Sequence, residues 1–147
     1  MIPQKDEVNS TIRKLVATEK YTPDRMVASL SFGFWTHLFT KHPFSKGGKS
    51  ILRIFPNKDK PLGQRAVFNE LMRIKEFRNR IAHHEPICFD KSGLIDTAFP
   101  RNHYMLILKY LSFLGHMEGQ ILFGLDVQPN TIFQKIDEIA RMNIRDV

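Results

Sequence analysis

Arginine, asparagine and two histidines fall within one short run, Arg78-Asn79-Arg80-Ile81-Ala82-His83-His84. A guanidinium stays charged at every physiological pH and presents a fork of donors that matches phosphate oxygens. An imidazole gives or takes a proton near neutrality. Together they could hold a phosphodiester and move a proton beside it. The amide of Asn79 could bind the same phosphate or orient a histidine. Adjacent residues on a helix diverge by about 100°, so His83 and His84 do not readily share one metal ion. The chain has no HExxH and no CxxC, His37 and His42 lie five apart, and His103 and His116 stand alone. No metal site and no cofactor are therefore expected.

These residues must be positioned by a helix. Its expected span is 64–84, ended by Glu85-Pro86, because a residue before proline avoids helical dihedrals. With Val67 at 0° on a helical wheel, Leu71 falls at about 40°, Ile74 at about −20°, Ile81 at about −40° and Ala82 at about 60°. Arg78, at about 20°, sits inside this apolar stripe, whereas Arg73 and Arg80 fall near −120° and −140°, on the side expected to face water. An arginine so placed needs a carboxylate partner, a polar cleft, or a subunit seam with an anionic ligand. The plainest possibility is a buried ion pair with Asp96, Glu118 or Asp126.

The periodicity is helical elsewhere too, so the expected class is all-α, a bundle of helices packed side by side. One helix is expected over 5–19. Another should start at Thr22-Pro23-Asp24, a cap followed by a first-turn proline and an acid, and run to Phe39 with Val27, Leu30, Phe34 and Leu38 on one face. Trp35 flanks that face, and both it and Phe34 read as core. A long apolar helix is expected over 103–125, with Leu106, Leu111, Leu114, Phe113 and Phe123 in the core. A last helix covers 131–142. The segment Ile87–Phe89 is the one weak strand candidate.

The chain of 147 residues is the size of one domain, and its charge of +7 favours an anionic partner such as nucleic acid. Lys46, Lys49 and Arg53, in and beside the loop "KHPFSKGGKS", are candidate contacts to an RNA backbone. "GGKS" itself lacks the upstream glycine and the preceding strand of a phosphate-binding loop. Cys88 is the lone cysteine. It can form no internal disulfide and reads as an unreactive thiol. There is no apolar run of membrane-spanning length and no apolar signal core at the start, so no membrane partner is expected and the cytoplasm is the expected location.

The run Arg78 to His83 fits the R-x4-6-H motif of the HEPN superfamily. "RNRIAHHEPI", with "TPDRMVASLSFGFWTHLF" ahead of it, more narrowly resembles that superfamily's Abi-like branch, linked to bacterial abortive infection. The two segments stand in the expected order, and the likeness extends loosely over most of the chain. The resemblance implies a single helical-bundle domain that dimerises so that two motifs meet across a cleft. It also implies metal-independent cleavage of RNA, in phage defence or beside an antitoxin or other protein partner. Arg78 is then the phosphate clamp, His83 or His84 the acid or base, and Asn79 a positioning residue. The branch carries a further helical segment ahead of "TPDR", where this chain has only about 20 residues, so either a relative shortened at its N-terminus or a fragment is expected. Some relatives only bind RNA or a partner protein, and a plain helical dimer with a structural Arg78 is the remaining alternative.

Overall fold

The computed structural model describes residues 3–59, 61–117 and 128–145. Its elements are helices α1 (Pro3–Ala17), α2 (Pro23–Ser29), α3 (Phe32–His37) and α4 (Lys41–Lys46), a 3-10 turn (Ser50–Ile54), then α5 (Gln64–Ala82), α6 (Ala98–Phe113) and α7 (Pro129–Arg145). The class is all-α. Between α5 and α6 a single antiparallel bridge pairs Phe89 with Ile95, in the region of the strand candidate. No helix among the described residues is long and apolar enough to cross a membrane.

The single helix expected from Thr22 to Phe39 is instead divided. Thr22 caps α2 as expected, its side chain accepting from the Arg25 amide at 3.2 Å. Leu30 then turns extended, and Ser31 caps a new helix by accepting from the Phe34 amide at 3.1 Å. The amide of Ser31 donates to Glu7 Oε1 at 2.7 Å, so α1 secures the break. A serine that can satisfy its neighbours' amides locally competes with helix continuation. The break resets the helical phase. Thr36 and Phe39 are therefore the buried residues of this region, while Val27 is exposed. The loop "KHPFSKGGKS" also differs from expectation, because its first half folds as α4.

The core is aromatic. Phe55, just past the 3-10 turn, lies between Phe39, Tyr110 and Phe113, with ring centroids 6.0, 5.4 and 6.4 Å away. Val67 and Leu71 of α5 and Leu106 of α6 complete the buried set. The side-chain amide of Gln64 at the start of α5 donates to the Phe39 carbonyl, fastening that helix to the end of α3. Helix α6 begins earlier than expected, since Pro100 is tolerated in a first turn. It ends at Leu114, where Gly115 takes φ 90° and the amides of Gly115 and His116 bond back to Ser112 and Leu111. The rest of the expected helix beyond residue 117, with Phe123, lies outside the described residues, as do Glu118 and Asp126. Helix α7 docks on the start of α6. Asp137 accepts from Arg101 at 2.9 Å and from the Thr97 hydroxyl, and Arg101 lies over the Phe133 ring at 5.0 Å.

A polar clasp joins α5 to α6. Lys109 Nζ lies 2.9 Å from both oxygens of Glu70, and the Tyr110 hydroxyl donates to Glu70 Oε2 at 2.8 Å. Burial, then the hydrogen bond and the negative charge of Glu70, push the Tyr110 phenol well above its ordinary value. The fold thus holds the proton more tightly than the unfolded chain, whose tyrosines titrate near pH 10. This stabilisation is complete below about pH 10 and falls as pH rises further. Thermal melts between about pH 8 and 11.5 should show a loss of Tm on the alkaline side. Tyr110→Phe should cost about 1 kcal/mol at neutral pH and flatten that alkaline slope.

Candidate functional site

Helices α1, α3 and α5 enclose a cleft of about 360 Å³. Helix α5 contributes Lys75, Arg78 and Asn79, the α3 segment Ser31, Phe32, Gly33 and Phe34, and α1 Glu7. Lys75 lies three residues before Arg78 and so on nearly the same face of α5. Its chain passes over Gly33, Cε and Nζ each 3.4 Å from where a β-carbon would stand. The Arg78 Nη1 donates to Asn79 Oδ1 at 3.3 Å, a bond that leaves most of the guanidinium fork open. Among the described residues neither Lys75 nor Arg78 has an acid within ion-pair distance. Of the settings that the sequence allowed for Arg78, the single chain therefore provides the polar cleft. Asp96 is occupied elsewhere, accepting from the Ala98 amide at 2.8 Å near the start of α6.

The two arginines have exchanged the environments that a straight wheel assigns them. Arg78 is exposed and Ile81 is 49% exposed, so the upper end of the apolar stripe is uncovered. Arg80 is half-buried. Its guanidinium lies 5.0 Å over the Phe99 ring, Nη2 donates to the Pro86 carbonyl at 2.7 Å, and Nε lies 3.2 Å from Glu85. The cause is the path of α6. The buried residues of α5 pass from Val67 and Leu71 to Phe77, which moves the covered face by about 80–120° around the helix. There Phe77 stacks on His103 at 4.7 Å and meets Phe99 at 5.8 Å. His103 is buried and its Nδ1 donates to the Phe99 carbonyl at 2.8 Å, which makes it a packing residue.

The histidines lie at the end of α5. His83 is its C-cap, and His84 takes φ 55° in the left-handed region. The amide of His84 bonds to Ile81 and that of Glu85 to Arg80, at 3.1 and 2.9 Å, which closes a Schellman turn. Both imidazoles are exposed, and neither makes a hydrogen bond among the described residues. Neither lines the cleft of Arg78. Five residues of helix turn by about 140°, so Arg78 and His83 of one chain point apart. Lys46, Lys49 and Arg53 are exposed on and after α4 and line no part of this cleft. Cys88 is half-buried. Burial, then the carboxylates of Asp137 and Asp96, raise its thiol, so the reactive thiolate is disfavoured.

On the other side of α3 runs an apolar groove of about 270 Å³, walled by residues such as Trp35, Ile54, Ile107 and Leu114. Trp35 thus borders a groove, with its ring edge-on to Phe34 at 5.2 Å, and is not enclosed in the core. Comparison with family models, with curated proteins and with solved structures finds no match for this chain.

Two stability measurements check this placement. Arg80→Ala should lower unfolding free energy by about 1–2 kcal/mol, because it frees the Pro86 carbonyl and uncovers Phe99. Arg78→Ala should change it by less than about 0.5 kcal/mol. Equal costs in urea denaturation would contradict the exchange of roles. Separately, His84→Gly should raise stability by about 0.5–1 kcal/mol, since glycine adopts the left-handed C′ position without strain.

Proposed function

We infer that this protein is a metal-independent endoribonuclease of the HEPN type, acting as a homodimer in the phage-defence or toxin–antitoxin setting that the Abi-like resemblance implies. The observation that carries the reading is Arg78: an exposed guanidinium with no acidic partner among the described residues, in a cleft with Lys75 and Asn79. Two neighbouring cations with no acid in ion-pair contact favour a phosphate between them. The net charge of +7 points the same way.

In this reading Arg78 binds the scissile phosphate and offsets the charge that develops on it. A histidine takes the proton from the ribose 2′-hydroxyl, whose oxygen attacks phosphorus. The bond to the 5′-oxygen breaks, and that oxygen is protonated by a histidine as it leaves. The products are a 2′,3′-cyclic phosphate and a 5′-hydroxyl. Because Arg78 and His83 of one chain diverge, the reading requires two copies of α5 facing each other, with arginine and histidine meeting across the seam. The uncovered Ile81 and Ala82, between the two residues, supply apolar surface for such a seam. An antitoxin or other protein partner would then act on this dimer.

One observation favours a second reading, a non-catalytic module of the same type that binds RNA or a partner protein. Neither imidazole is held by a hydrogen bond among the described residues, whereas a working acid–base histidine is usually oriented by a third group. Cleavage of RNA in EDTA distinguishes the two. The wild type should leave 2′,3′-cyclic phosphate ends, and Arg78→Ala and His83→Ala should each reduce the rate by at least about 100-fold. Intact RNA that still binds, with affinity falling steeply as salt rises, would establish the binding module instead.

A further inference from the structure

The cleft of Arg78 carries more than a phosphate site needs. A site built only for an inorganic anion or a duplex backbone gains nothing from a carboxylate, yet Glu7 faces the same space as Lys75 and Arg78. One of its oxygens is committed, since Oε1 accepts from the Ser31 amide at 2.7 Å. That bond anchors the carboxylate at the break between α2 and α3. Its other oxygen accepts no hydrogen bond among the described residues. Phe32 is 42% exposed and borders both this cleft and the apolar groove on the other side of α3. The cleft thus combines two cations, an anchored acceptor and an exposed aromatic residue at its border. Its volume of about 360 Å³ suits one small ligand and is too small for a double helix.

We propose that Glu7 and Phe32 form a nucleobase subsite next to Arg78, which selects a base carrying an amino group on its pairing edge, and so cytosine over uracil. Cytosine presents the N4 amino group as a donor where uracil presents a carbonyl acceptor. Glu7 Oε2 accepts from the former and repels the latter. Phe32 supplies the stacking face, which is indifferent to base identity. Lys75 and Arg78 hold the adjoining phosphate. The inference rests on the reading of the cleft as an RNA site, and adds to it a specificity that the Arg78 motif does not contain.

The test is direct binding of the full chain to 2′-O-methyl oligocytidine and oligouridine of about eight nucleotides, which lack the attacking hydroxyl, at one fixed salt concentration, by fluorescence anisotropy. The wild type should bind oligocytidine several-fold more tightly than oligouridine. In Glu7→Gln the amide oxygen can keep the bond from Ser31 while its NH2 replaces the free carboxylate oxygen. That variant should lose or invert the cytosine preference. Removing a negative charge also strengthens RNA binding generally, so the ratio of the two affinities is the readout. A parallel rise in both affinities with an unchanged ratio would overturn the subsite and leave Glu7 an anchor of α3. Phe32→Leu keeps an apolar side chain and should weaken both oligonucleotides several-fold at an unaltered ratio. Unchanged affinity in that variant would remove Phe32 from the subsite. If Arg78-dependent binding persists but the wild type shows no preference, the subsite fails while the RNA reading stands. If neither oligonucleotide binds, both fail together.

Discussion

The contact between α5 and α6 is the constraint on which the rest depends. Val67 is completely buried against the aromatic core, and Glu70, Lys109 and Tyr110 clasp the two helices beside it. Three turns later Phe77 is buried against a different part of α6, stacked on His103. These two anchorages fix both the position of α5 and its rotation about its own axis. Once Val67 must enter the aromatic core and Phe77 must reach His103, Arg80 is carried onto Phe99 and Arg78 is turned towards α3. The orientation of the candidate site thus follows from packing several turns away and owes nothing to local preference at the site.

The same helix ends by a device that separates the polar residues further. The Schellman turn at His83 and His84 satisfies the last carbonyls of α5 with backbone amides. Arg80 reaches over that turn to the Pro86 carbonyl. The segment is therefore held as a hydrogen-bonded corner even though its two imidazoles are exposed. A corner of this kind presents side chains outward from a fixed base.

The cleft depends equally on a break that a helix-forming sequence would not be expected to make. Ser31 ends one helix and begins another, and Glu7 of α1 completes the amide satisfaction at that point. This brings a carboxylate, an exposed aromatic ring and the cations of α5 into one space. The Glu7–Ser31 bond spans 24 residues and has no periodicity, so nothing in the pattern of the chain announces it. Lys75 is different, for its spacing of three from Arg78 places it on the same face by helical geometry alone.

Much of the architecture was legible without coordinates. The all-α class, the span of α5 and the proline-marked end of that helix follow from local rules: apolar periodicity, caps, and the dihedral limits before proline. The run Arg78 to His84 could also be singled out by its chemistry. The environment of each arginine could not. A wheel assumes that the covered face runs straight along a helix, whereas a neighbour that crosses at an angle moves that face as the helix advances. Residue types and their order decided which groups are available for chemistry. The crossing of α6 over α5 and the long-range bond from Glu7 decided which of them face a common space, because both arise from contacts between segments that sequence periodicity does not relate.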